Sequence, residues 1–544
     1  MTRLPFRSSK WAHFCASVLC TFALALQGHA QVNLLTQHND NARSGANLHE
    51  TTLNTSNVNA SRFGKLFSRT VDGQMYAQPL VVCSLDIPGK GRRDVVFLAT
   101  EHNSVYAFDA DDPKAAAPFW HVNLGPSCPY TDFYKTEWTD MNDEVGITST
   151  PVIDPRSRTL YVEAKTKENG RYFQRLHELD LLTGEEKPGS PVTIAAQVKG
   201  TGLDAVNGVV SFNPFTQLQR PGLLLSNGVV YLAFGSHADT EPFHGWMLGY
   251  DARTLKQVFV WNTTPDGSEG AIWQAGQGLA ADASGYIYAS LGNGDADAQT
   301  GGRDYGECLV RIDPKAKGSP VADWFMPFNF ADLNQNDGDF GSSGPLLVSG
   351  TNILVTGSKE DVIYVVQRNA MGHFHKADDA EIIQDFPGGN GHVHGAPVVW
   401  LTPDNGRIMY VWTENDNLRS YKWQDGKFVP FKVGPTRLPY GMPGGFLSLS
   451  ADGSRAGTGI IWASHPYDDN ANWKTVPGEL QAFDAADPMK ELWNSRMNLT
   501  RDDLGMFAKF CPPTVVNGRV YLATFSKQLV VYGLLPKAPG AAVK

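Results

Sequence analysis

The sequence predicts an all-β protein: a single eight-bladed β-propeller of four-stranded antiparallel blades, closed by an N-terminal strand. Three observations lead there. A strand-rich unit recurs eight times, and periods of about 40–60 residues built from strands signal propellers. Each unit consists of short apolar or alternating runs rich in Val, Ile, Tyr and Trp, bounded by Gly, Asn, Asp and Pro, which is strand-and-turn chemistry. No long stretch keeps a helical hydrophobic period.

Residues 1–30 read as an address. Arg3, Arg7 and Lys10 precede an apolar run from Phe14 to Leu26, and Gly28-His29-Ala30 places small residues where signal peptidase reads, so cleavage before Gln31 is expected. The run is shorter than the roughly 20 apolar residues of a membrane span, so no span is expected after cleavage and the mature chain is expected to be periplasmic or extracellular. An entry segment, residues 31–62, follows. The strand FGKLFSRTV (Phe63–Val71) resembles the outer strand of a blade and should pair with the last unit, because a free strand there would leave an exposed edge.

The units then run in order from Ala77 to Leu535. They are Ala77–Leu124, Ser149–Leu181, Arg220–Asn262, Gly276–Phe325, Ser342–Arg368, Gly395–Trp423, Gly445–Ser495 and Cys511–Leu535. Most open on a small-Pro-hydrophobic strand and continue with a strand such as Val-Tyr-Leu-Ala, and several end the third strand in an aromatic-Asp-like pair. Several close on a Trp-bearing strand. The eighth lacks its fourth strand, which Phe63–Val71 supplies. Residues 63–535 therefore form the propeller, and 536–544 are a Pro/Ala/Gly tail.

A meander brings the loops before every inner strand, and those between second and third strands, to one face. Loops on a rigid scaffold carry function. The residues expected at this mouth are Glu101, His102, Glu144, Lys165, His237, Glu241, Trp273, Asn293, Asp295, Asp339, His392, His394, Glu414 and His465. Within them, Asn293-x-Asp295-x-Asp297 and Asp332-x-Asn334-x-Asn336-Asp337-Gly338-Asp339 present alternating oxygen donors, which suit calcium or are turn chemistry alone. His392-x-His394 on an extended segment directs two imidazoles the same way; with a third ligand such as His465 or His102 they suit zinc, or they are mouth histidines facing water or substrate.

The stretch Thr36-Gln-His-Asn-Asp-Asn-Ala-Arg-Ser-Gly-Ala-Asn47, followed by Leu53–Asn59 and Gly64-Lys-Leu-Phe67, resembles the entry segment of the quinoprotein alcohol dehydrogenase-like superfamily. The resemblance implies a pyrroloquinoline quinone and a calcium ion in the mouth. It implies Glu241, Asn293 and Asp339 as calcium ligands, with Asp339 also the catalytic base; Asp295 is expected to join them from the alternating oxygens of its loop. Trp273 would stack on the quinone, with Glu144 and Lys165 beside it. Family dehydrogenases carry adjacent cysteines over the quinone; this chain has no adjacent pair, and Cys128 alone lies in the corresponding region.

Three functions follow as expectations. The first is an alcohol or sugar dehydrogenase passing electrons to an external acceptor, since no haem-attachment motif is present. The second is a non-catalytic propeller binding a glycan or an exported protein through Trp273, Tyr440, Tyr467 and Trp473. The third is a metal-dependent lyase or hydrolase using His392, His394 and a carboxylate. A net charge of −10, with only basic residues in the leader, argues against nucleic acid as a partner. The four cysteines beyond the leader, Cys83, Cys128, Cys308 and Cys511, allow three full pairings, with Cys83 and Cys128 the nearest pair in sequence.

Overall fold

A computed structural model describes residues 31–134, 141, 143–435, 441–472 and 474–536. The leader and residues 537–544 of the tail lie outside the described residues. Among the described residues no helix is long and apolar enough to cross a membrane.

The strands form eight antiparallel blades. Blade 1 is typical: Leu80–Ile87, Gly91–Ala99, Ser104–Asp109 and Trp120–Asn123 run from the centre of the ring outward. Alternate residues of each strand face neighbouring blades, so the apolar runs are buried on both faces. Large aromatics fill the wedges between blades. Trp246, Trp400, Trp462 and Trp493 are fully buried.

The predicted closure is present. Phe63–Thr70 pairs antiparallel with Gln528–Leu534 as the outer strand of blade 8. Phe63 is wholly buried, its ring 5.3 Å from Trp462 and 5.0 Å from Trp493 of blade 7. Outer strands that the sequence had not shown complete three other blades: Val192–Thr193 in blade 2, Gln384–Pro387 in blade 5 and Lys427–Val433 in blade 6. They lack the Trp that marks the others and expose much of their length, so no apolar signal betrays them.

The entry segment is a ring within the ring. It bonds to successive inner strands: Leu34 pairs with Val81 of blade 1, Leu35 accepts from Ile153 of blade 2, and Asn41 and Ala42 accept from Ala281 and Leu347 of blades 4 and 5. Ala46–Asn47 then pairs parallel with Leu449–Ser450, the last residues of blade 7's inner strand, and Asn47 Nδ2 donates to Val515 O of blade 8. Blade 3 is reached by the buried Arg43 guanidinium, which donates to Leu223 O, Leu279 O and Gln37 O. The segment therefore lies across the end of the channel opposite the mouth.

Among the described residues no disulfide forms: Cys83, Cys128, Cys308 and Cys511 are free, the last three buried. They sit in separate blades or blade connections, so the rigid sheets that order the chain also keep the thiols apart.

Candidate functional site

The mouth loops surround a cavity of about 210 Å³. Its chemistry comes from Arg220, Asp239, Trp273, Asp337, Asp339, Lys359, His392, His394 and Glu414, contributed by blades 3 to 6 and their connections. All stand in loops before inner strands or between second and third strands, which is the face the meander predicted.

Asp339 is at the centre. Its Oδ1 accepts the Asn293 N–H at 2.9 Å, while its own N–H donates to Asn293 Oδ1 at 3.1 Å. This reciprocal pair locks the blade 4 loop to the connection leading to blade 5. Gly292 permits it: a Cβ there would lie 2.4 Å from Asp339 Oδ1. Lys359 Nζ bridges Asp339 Oδ2 and Asp337 Oδ1, both at 2.6 Å. Burial works against its charge, but the two carboxylates outweigh burial and hold the ammonium above the usual lysine range. Behind Asp339 the buried Glu307 accepts the Phe340 N–H, and loss of water together with the Asp339 charge pushes its carboxyl well above the usual range.

Trp273 forms one wall. The short turn Gln274–Gly276 holds it, and the Gln274 side chain pins that turn by accepting from Ser290 N and donating to Gln277 O. Lys359 Nζ lies 5.6 Å and the Arg220 guanidinium 6.0 Å from the indole centre. Asp239 reaches the mouth from blade 3 in a tight turn, at φ 48, capped by Ser236 Oγ. The residue as a whole is exposed, yet the surroundings of its carboxyl are crowded, and desolvation plus the Asp339 charge pushes it up to about 6.

On the opposite side, His394 is buried and its Nε2 lies 2.9 Å from Glu414 Oε1; half-exposed His392 has Nδ1 3.7 Å from Glu414 Oε2. Burial opposes ionisation of Glu414, but His394, His392 and Lys359 outweigh it and keep the carboxylate below its usual range. Desolvation lowers the His392 imidazole; the Glu414 charge opposes this, while His394 and Lys359 add to it.

The other expected mouth residues go elsewhere. Glu241 is exposed and shares a hydrogen bond with Glu269, whose carboxyl is pushed up to about 7 by desolvation and by Glu241. Asp295 accepts from Ser268 Oγ and Asp297 from Asp304 N, so the three oxygens of the Asn293 loop diverge. The second alternating stretch diverges too, because Phe330–Gln335 is a short helix, in which residues two apart point to different sides. Glu144 ties His102 Nδ1 (2.8 Å) and Ser127 Oγ (2.5 Å) at the rim of blades 1 and 2. Glu101 is buried against Gly146 N and Thr148 Oγ1. His465 bonds Pro466 O and Gln481 Oε1 beneath Trp412.

Lys165 does not enter the mouth. Its Nζ donates to Phe215 O and Gln217 O and lies 2.6 Å from His237 Nε2. Desolvation pushes it down to about 7. His237, stacked on Phe133, lines a separate neighbouring cavity of about 530 Å³. Of the aromatic platforms, Tyr467 is covered by the Arg496 guanidinium at 3.4 Å, and Tyr440 and Trp473 lie outside the described residues. Arg220 and Glu307 were missed because the first reads as the start of an inner strand and the second as the approach to the third strand of blade 4; Asp239 was hidden beside the more conspicuous Glu241.

Solved structures similar to the chain include the quinohemoprotein alcohol dehydrogenase ADHIIG from Pseudomonas putida HK5, at 14% identity and a TM-score of 0.54, and the quinohemoprotein alcohol dehydrogenase from Comamonas testosteroni, at 13% and 0.56. Each match covers 94% of this chain and 82% of the other. The expected resemblance therefore holds at the level of fold. No protein-family model and no curated protein sequence matches the chain.

Proposed function

We propose that the mouth binds a flat, anionic quinone cofactor of the pyrroloquinoline quinone class against Trp273 and that the protein oxidises an alcohol or sugar hydroxyl, with Asp339 as the base. The observation that carries this reading is the Asn293–Asp339–Lys359 arrangement in a cavity walled by an indole. The residues suit such a cofactor: Trp273 offers a ring face, and Arg220 and Lys359 offer cations for its carboxylates. They suit calcium less. Of the four expected ligands only Asn293 and Asp339 lie together, and the Lys359 ammonium already occupies the Asp339 carboxylate.

When bound, the quinone would supply the hydride acceptor. The chain's own part is proton handling and position. Asp339 accepts the substrate hydroxyl proton at Oδ2, on the lone pair that Lys359 Nζ leaves open, while its Oδ1 accepts the Asn293 N–H. Lys359 keeps a positive charge beside the reacting oxygens. Glu307 lies behind Asp339, where burial and the Asp339 charge oppose its ionisation. Electrons leave to an external acceptor, in keeping with an exported protein that carries no haem motif.

The test is a spectral titration of the purified protein with pyrroloquinoline quinone, followed by alcohol and sugar oxidation with an artificial electron acceptor. Binding should weaken in Trp273→Ala, and turnover should fall by about 100-fold or more in Asp339→Asn, the usual contribution of a general base. A folded protein that binds no quinone sinks the proposal.

A further inference from the structure

We propose that His392, His394 and Glu414 form a site for a divalent first-row transition ion, of the zinc class, on the wall of the mouth facing Asp339. One ring nitrogen from each histidine and one Glu414 oxygen lie within 4.8 Å of one another, close enough to share one ion with little movement. Two imidazoles and a carboxylate are the donor set of open, three-ligand zinc sites and of the facial triad that holds ferrous iron. Calcium, which asks for six to eight oxygens, is poorly served by it.

Three further features point the same way. His394 is buried and its Nδ1 has no hydrogen-bond partner, so its ring is not fully accounted for by the protein alone. The local field favours a cation, because Glu414, Asp337 and Asp339 outnumber the two fixed cations of the cavity, Lys359 and Arg220. Trp273, 5.8 Å from the His394 ring, and Phe510, at 6.2 Å, pack beside that imidazole and restrict its orientation. Half-exposed His392 leaves a path for entry from solvent. With three protein ligands the ion keeps at least one position open toward the cavity, where a hydroxyl or carbonyl oxygen can bind and be polarised. The site stands apart from the quinone reading: it uses other residues and needs no quinone.

Equilibrium dialysis of the full chain against zinc, with elemental analysis, tests this, and the visible spectrum of the cobalt-loaded protein reports the ligand set. One ion per chain is expected, undisturbed by excess calcium. His392→Ala and Glu414→Gln should each weaken zinc binding by more than about 100-fold, beyond what outer partners cost. His392 is half exposed, so its variant should keep the wild-type unfolding temperature, which separates ligand loss from misfolding. His102→Gln, at the rim, should bind zinc as the wild type does. Absence of tight zinc binding, equal binding by His392→Ala and Glu414→Gln, or displacement of zinc by calcium would overturn the site.

Discussion

Two residues of the mouth region carry charge problems that can be measured. Burial pushes the Glu101 carboxyl from an ordinary 4.5 up to about 8. The folded chain then binds more protons than the unfolded chain between those values, so the stability this group contributes is full below about 4.5 and is lost as pH rises through 8. At roughly 1.4 kcal/mol per unit, the loss should reach a few kcal/mol. Denaturant unfolding from pH 5 to 8 should show that decline in the wild type and a flatter profile in Glu101→Gln. Lys359 poses the reverse case. Removing it strands two carboxylates in a crowded site, and breaking such a pair typically costs about 3–5 kcal/mol. Lys359→Met should be destabilised toward that range, and Lys359→Met with Asp339→Asn should recover part of the loss, a coupling a double-mutant cycle reads directly.

At the scale of elements, the outer strand of blade 8 decides whether the ring closes. Phe63 sits between Trp462 and Trp493, and its truncation leaves a hole at the seam between the first and last parts of the chain. Phe63→Ala should cost about 3–5 kcal/mol in a thermal or denaturant melt. That strand was legible because its alternation matched an outer strand and the eighth unit lacked one. The outer strands of blades 2, 5 and 6 were not, since an exposed outer strand is held by its hydrogen-bonded neighbour rather than by an apolar face. The same limit applies to loops. Asn293 and Asp339 read correctly as neighbours because two connections of one blade must meet. Glu241 and Asp295 read incorrectly because the turn at Ala238–Asp239 and the bond to Ser268 aim them away.

Across the whole molecule, the entry segment and the mouth loops divide the labour of the channel. Residues 34–47 bind the inner strands at one end, with Arg43 buried among their carbonyls, while loops from blades 3 to 6 build a charged cavity at the other. A ligand therefore meets the molecule from the mouth side, where Trp273, Asp339, Lys359 and the two histidines stand on loops of blades 4 to 6. By itself the sequence determined the repeat, the number of blades, the closing strand and the face on which functional loops gather, because these follow from strand periodicity and from the geometry of a meander. Only the tertiary structure decided which loop side chains converge. Side-chain direction in an irregular loop depends on its particular backbone angles and hydrogen bonds, so Lys359 joins Asp339 and Glu414 joins the histidine pair, while Lys165, on a strand of blade 2, turns to His237 beside a separate cavity.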